Sequence, residues 1–203
     1  VNKTTPALTA LWLLSCAAGL YALFARAAAP GEIGAVPRLW PEAAAAAPET
    51  GRATLLLFAH PRCPCTRASL DELAWILARA PGRVAARVFF YRPAQAAAGW
   101  ERTPLWDEAR ALGADVFADP DGAEARVFGA RTSGMTLIYD ARGRLIYDGG
   151  VTPGRAHEGD GPQREAALAA IDGRLAAPVR SAVFGCALVA AKSGKESSWP
   201  TKN

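Results

Sequence analysis

Apolar residues fall into three patterns along the chain. From Ala7 to Phe24 the sequence ALTALWLLSCAAGLYALF is apolar on every side and carries no charge. At a rise of about 1.5 Å per residue, such a run matches the hydrocarbon of a bilayer. Arg67 to Arg79 places Leu70, Leu73, Ala74 and Leu77 at helical spacing and is stopped by Pro81-Gly82. Short apolar runs, Thr54 to Ala59 and Val84 to Tyr91, suit buried strands.

Further along, Thr103-Pro104 reads as an N-cap and first helical position, opening a helix through about Leu112. Asp115 to Ala118 is a brief strand, and Asp121 is placed to cap a short helix ending at Phe128. Thr136 to Tyr139 and Arg144 to Asp148 form a hairpin around Asp140-Ala141-Arg142-Gly143. Asp160 and Pro162 open a last helix that runs to about Leu175. Strands alternating with helices, then a hairpin and a closing helix, predict an α/β sandwich.

The apolar N-terminal run exceeds the usual signal-peptide core of about 7–15 residues, so an uncleaved signal anchor is the preferred reading. Cleavage after Ala27-Ala28-Ala29 is the rival, and a lipoprotein site at Cys16 conflicts with the apolar residues that continue past it. Lys3 on one side and Arg26 and Arg38 on the other leave the orientation open. The following stretch to Thr50 is rich in Ala and Pro and lacks periodicity, which predicts a tether.

Composition removes several function classes. The 203 residues are 51% hydrophobic, which suits a real core and excludes a disordered chain. The net charge of +4 is spread thinly and is partly due to Lys192, Lys195 and Lys202 in a tail expected to be disordered. With no basic stripe interleaved with aromatics, a nucleic-acid partner is not expected. Four cysteines are too few for a disulfide scaffold, so a closely spaced pair points to redox or metal chemistry.

That pair lies in His60-Pro61-Arg62-Cys63-Pro64-Cys65-Thr66, between the first strand and the first regular helix. Proline is favoured at the first helical position, so Pro64 makes Cys63 the N-cap. Free amides and the positive end of the helix dipole then favour a thiolate, the nucleophile of disulfide exchange. Cys65 is the candidate to attack a mixed disulfide on Cys63, and a Cys63–Cys65 bond would close a small, strained ring. Ser69 to Glu72 also fits a capping box, which would start the helix later and leave the cysteines on a loop. His60, before Pro61 at a strand end, reads as structural.

Strand, cysteine motif and helix resemble the thioredoxin-like superfamily. The run from Asp115 to Ala130 and the run from Thr136 to Gly150 are similar to the corresponding half of membrane-anchored TlpA-type and ResA-type thiol–disulfide proteins. The HP-x-CPC core, Gly149-Gly150-Val151-Thr152, His157-Glu158-Gly159-Asp160 and Phe184-Gly185-Cys186 are similar to the bacterial RedB-type branch. The resemblance implies a thioredoxin-like α/β/α sandwich at residues 53–180. Before it come a transmembrane signal anchor at 1–28 and a tether at 29–52; after it, a C-terminal segment and flexible tail at 181–203.

Two departures from the superfamily stand out. Its resolving cysteine falls at Thr66 rather than Cys65, and its cis-proline position falls at Met135, where a trans bond is expected because a non-proline cis bond costs about 2.5–4 kcal/mol. The topology also carries the Gly149–Gly161 loop toward Cys63, making His157 a proton acceptor or metal ligand, or simply a solvated loop residue. Cys186 is either a third redox partner or a small residue packing the C-terminal segment, with packing preferred.

These readings give three candidate functions. The first is a membrane-tethered thiol–disulfide oxidoreductase with Cys63, Cys65 and His157 as catalytic residues and no cofactor. It would act on protein thiols and disulfides, with an unidentified redox partner, on the periplasmic side of a bacterial inner membrane. The second is a copper(I)-binding chaperone with Cys63, Cys65 and His157 as ligands, since thiolate and imidazole suit a soft ion. The third is a non-catalytic binding protein.

Overall fold

A computed structural model of the chain describes residues 4–188; the expected tail from Lys192 lies outside the described residues. The N-terminal unit is α1 (Thr4–Ala28). Its large apolar side chains are exposed all round, and over Leu8–Ala28 its mean hydropathy is 1.8, the length and composition of a membrane span or a signal sequence. The Ser15 hydroxyl donates to Leu11 O at 2.9 Å, so its polar group is satisfied within the helix.

The second unit, from Gly31 onward, is built on one mixed sheet. Its elements are β1 (Ala53–Ala59), α2 (Pro64–Arg79), β2 (Val84–Arg92), α3 (Pro104–Ala111), β3 (Asp115–Pro120) and α4 (Ala123–Val127). They continue with β4 (Met135–Tyr139), β5 (Leu145–Gly150), α5 (Pro162–Ile171) and β6 (Val179–Arg180). The order across the sheet is β3-β2-β1-β4-β5-β6. β1, β2 and β3 run parallel, while β4 is antiparallel to both β1 and β5.

Successive side chains of a strand point to opposite faces, so β1, apolar throughout, must be covered twice. Leu55, Leu57 and Ala59 enter one core with Leu70, Leu73 and Ile76 of α2, Trp106 of α3 and Ala167 and Leu168 of α5. Leu56 and Phe58 enter the other with Phe128, Met135, Leu137 and Tyr139.

The second cover corrects the expectation of a tether. Residues 31–50 pack against the sheet: Ile33, Val36, Trp40 and Ala44 lie on the second core, and the Trp40 ring meets Phe128 and Tyr139 edge-on, each at 5.1 Å. Trp40 N–H donates to Gly143 O, Leu145 N–H to Arg38 O and Tyr139 Oη–H to Pro37 O, at 2.8, 2.9 and 2.9 Å. Gly129, at φ 70°, comes so close that a Cβ there would lie 2.4 Å from Ala35 O. Backbone groups that an aperiodic stretch cannot pair internally are thus satisfied by the domain.

Some expected caps also differ. The N-cap of α4 is Gly122 rather than Asp121, and the Asp119 carboxylate accepts the Glu124 and Ala125 amides. Gly161 caps α5, leaving Asp160 to pair with Arg164. That helix ends at Ile171, short of the expected Leu175. The capping box at Ser69 does not form, because Ser69 donates to Cys65 O and Glu72 turns to Arg164.

Candidate active site

The helix α2 begins at Pro64 with Cys63 as its N-cap in extended geometry, φ −99° and ψ 126°. A lock on the preceding turn holds it there. Cys63 N–H donates to His60 O at 3.1 Å, and Thr66 Oγ1 donates to the same carbonyl at 2.8 Å. The His60 imidazole accepts the Arg62 amide at 3.2 Å and stacks on Tyr91, so the sequence reading of a structural histidine fits its surroundings. Burial is the larger reason its pKa falls below the ordinary histidine value, with the nearby Arg62 charge adding to it.

Thr66, where the superfamily places a resolving thiol, is fully buried and shares a 3.0 Å hydrogen bond with Ser133 Oγ. Ser133 Oγ also accepts His60 N–H at 2.9 Å, joining the cysteine turn to the residues entering β4. The bond between Gly134 and Met135 is trans.

Cys186 is the residue whose place the sequence did not settle. Its Sγ lies 3.0 Å from Cys63 Sγ, although the two residues are separated by 123 positions. Three contacts set the segment that carries it. Ser133 N–H donates to Cys186 O and Leu188 N–H to Arg131 O, both at 2.8 Å, and Arg155 Nη1 donates to Gly185 O at 2.6 Å. Gly185 is required for the approach, since a Cβ there would fall 1.9 Å from Ser133 O. Val183 and Leu188 bury themselves in the second core on either side. The available signal was the glycine directly before a cysteine in an apolar run, but nothing local says which strand edge it meets.

Cys65 is buried on the first turn of α2. Facing it is the loop after β5, where Ala156, at φ 50°, turns its amide toward the Cys65 sulfur. That loop is fastened to α2 from behind: Glu72 accepts Gly159 N–H at 2.7 Å and pairs with Arg164 at 3.1 Å, and both Glu72 and Arg164 are buried. The expected loop therefore does reach the cysteines. His157 itself is exposed; the group of that loop that meets a thiol is the Ala156 amide.

The three thiols differ electrostatically. Burial alone would push Cys63 up, but hydrogen bonds from the Cys186 thiol and amide and from Cys65 bring it below the ordinary thiol value. Burial pushes Cys65 up, reinforced by the charge on Cys63. Cys186 is pushed up to about 11, first by burial and then by donating to and facing Cys63. Of the pair, Cys63 is the thiol that ionises first and Cys186 the one that keeps its proton to higher pH. Cys63 is 1% exposed, whereas Cys186 is exposed. Among the described residues, no group of three or more His, Cys, Asp and Glu side chains is arranged to hold a metal ion.

No family model and no curated protein matches this chain. Among solved structures it is similar to a hypothetical protein from Sinorhizobium meliloti 1021, with TM-score 0.58 and 20% identity over 80% of this chain and 100% of that one. An uncharacterized conserved protein from Geobacillus kaustophilus aligns with TM-score 0.55 and 20% identity, covering 81% of this chain and 94% of that one. A secreted Mycobacterium tuberculosis disulfide oxidoreductase aligns more distantly, with TM-score 0.45 and 17% identity over 61% of this chain and 83% of that one. The fold, a parallel βαβ half joined to an antiparallel hairpin in one mixed sheet, is the α/β arrangement that the sequence resemblance implies.

Proposed function

We propose that this thioredoxin-like chain is a membrane-tethered thiol–disulfide oxidoreductase in which Cys63 is the attacking thiolate. The observation that carries the reading is the Cys63 sulfur, set at the N-terminus of α2 with a second thiol 3.0 Å away. Amide dipoles and a thiol donor stabilise negative charge on Cys63, while Cys186 retains its proton. Such a thiolate attacks one sulfur of a protein disulfide, forming a mixed disulfide on Cys63 and expelling the other sulfur as a thiolate.

The helix α1 supplies the anchor, and the domain lies on the outer face of a bacterial inner membrane, a compartment in which disulfide chemistry has substrates. Partners are protein disulfides and a dithiol that restores the reduced state. Cys65 and the loop carrying His157 border the reacting sulfur, Cys65 as a reserve of protons and His157 as an exposed base at the rim.

The test is disulfide exchange by the full chain in detergent with a glutathione-capped model peptide. Cys63→Ser is expected to abolish exchange, and retention of activity would overturn the assignment. Anaerobic copper(I) titration separates the metal-handling reading: tight binding lost on Cys63→Ser, in a chain without exchange activity, would favour that reading.

A further inference from the structure

We propose that Cys186, delivered by the C-terminal segment, is the thiol that resolves the mixed disulfide on Cys63, so that the working redox couple is Cys63–Cys186. The inference rests on the exchange reading of Cys63 and goes beyond it by naming the partner sulfur.

Geometry separates the two candidate partners. Cys63 and Cys65 flank Pro64 at the very start of α2, and although their thiols interact, a disulfide between them would close a small, strained ring. A Cys63–Cys65 bond would therefore distort the first turn of α2, including the 3.0 Å bond from Thr66 N–H to Cys63 O. Cys186 approaches from outside that turn, already 3.0 Å from Cys63 Sγ, on a segment that crosses no helix. Gly185 has no side chain to oppose the approach, and Arg155 and Ser133 hold the peptide groups on either side of the Cys186 α-carbon. Thr66, in the usual resolving place, carries a hydroxyl already committed to His60 and Ser133.

The chemistry closes on these two sulfurs. Substrate reaches the buried Cys63 when the segment around Cys186 lifts from Ser133 and Arg131. The Cys63 thiolate forms a bond to one substrate sulfur, and the other leaves as a thiolate that takes the Cys186 proton. Cys63 is now neutral, so the charge and the hydrogen bond that had kept Cys186 protonated are gone. The Cys186 thiolate attacks Cys63 Sγ, the Cys63–substrate bond breaks, and the second substrate sulfur leaves and is protonated by water. Two electrons have passed from the protein dithiol to the substrate, and a Cys63–Cys186 disulfide has formed.

An external dithiol reverses the state by attacking Cys186, the exposed sulfur, with Cys63 as the leaving group. A low-pKa thiol leaves faster, so the asymmetry of the pair sets which sulfur is attacked and which departs.

Trypsin discriminates the pairings, because it releases Cys63 and Cys65 together in Cys63–Arg67 and Cys186 in Ser181–Lys192. The full chain is oxidised in a glutathione buffer, blocked with iodoacetamide, digested without reductant and weighed. The two peptides joined by a disulfide, in the wild type and equally in Cys65→Ser, is the expected result. A bond within Cys63–Arg67, with Ser181–Lys192 alkylated, overturns the inference while leaving exchange at Cys63 intact; so does a joined pair that disappears in Cys65→Ser. Alkylation of all three cysteines in the glutathione buffer overturns both readings. As a second measure, the Cys63–glutathione mixed disulfide in Cys186→Ser should persist about tenfold longer or more than in Cys65→Ser. Equal lifetimes in these two near-isosteric variants overturn the inference.

Discussion

The two faces of the sheet are covered by different means. One carries α2, α3 and α5, whose buried residues return at helical spacing. The other carries only the five residues of α4, together with two aperiodic stretches, 31–50 and 181–188. Burial is nonetheless equal: Phe90 on the first face and Phe58, Phe128 and Leu137 on the second are all 0% exposed. Helices satisfy their own backbone and need only an apolar stripe, whereas an irregular cover must find partners for each peptide group in what it covers. The bonds from Gly31 to Val183 and from Gly34 to Gly129 are of that kind. The site forms where the two coverings meet, with Cys63 contributed by the helical cover and Cys186 by the irregular one.

If the irregular cover encloses a true core, large-to-small changes should cost the same on both faces. Phe128→Ala and Phe90→Ala are each expected to destabilise by about 3–5 kcal/mol through lost burial and the cavity left behind. Urea unfolding checks the pair. A cost for Phe128→Ala below about 1 kcal/mol, the range of ordinary surface changes, would reduce the second cover to a loosely laid strap.

A smaller effect is expected where the two coverings touch. Gly185→Ala places a methyl 1.9 Å from Ser133 O, so the C-terminal segment must retreat. Forced overpacking costs about 1–3 kcal/mol. The diagnostic readout is local: the retreat withdraws Cys186 and exposes Cys63, so alkylation of Cys63 should accelerate while the urea midpoint moves only modestly. Unchanged alkylation with the same loss of stability would mean that the segment does not shield Cys63.

The contrast between coverings also accounts for what the sequence made legible. The helical face was readable because Leu70, Leu73 and Leu77 repeat with the period of α2, and Pro64 marks its start whatever the rest of the fold does. Cys63 was found as the N-cap for the same reason. The stretch 31–50 has no period, so its Ala and Pro content read as a tether. A physical clue was present, since β1 is apolar at every position and four helices, one of them a single turn, are too few to cover both faces. Cys186 was undecidable from its neighbours because its partner lies 123 residues away and is reached through Ser133 and Arg131, neither of which signals pairing in sequence. Asp121 was misplaced as a cap because the Asp119 carboxylate, two positions away, accepts the free amides of α4, and Asp160 because Gly161 takes the N-cap position while its own carboxylate pairs with Arg164.

The finest probe of the junction is its pH dependence. In a reduced Cys65→Ser background, whose serine keeps a backbone amide and a hydroxyl donor at that position, alkylation of Cys63 should reach half its limiting rate below the ordinary thiol value of 9.0, because the hydrogen bonds from Cys186 and position 65 together outweigh burial. Cys186 should reach half rate toward about 11, since ionising it brings a second charge beside Cys63. Adding Cys186→Ala removes the side-chain donor and should move the Cys63 midpoint upward. Stability follows from the same signs. Cys186, raised in the fold, contributes fully below 9.0 and loses its contribution as pH rises toward about 11; Cys63, lowered, contributes above 9.0 and loses it as pH falls through its folded value. Joined in a disulfide, neither sulfur titrates. The oxidised chain should therefore lack the alkaline loss that Cys186 imposes on the reduced one, as read by urea midpoints across that range. Coincident Cys63 and Cys186 alkylation midpoints in the reduced protein would mean that the two coverings do not share a proton at their seam.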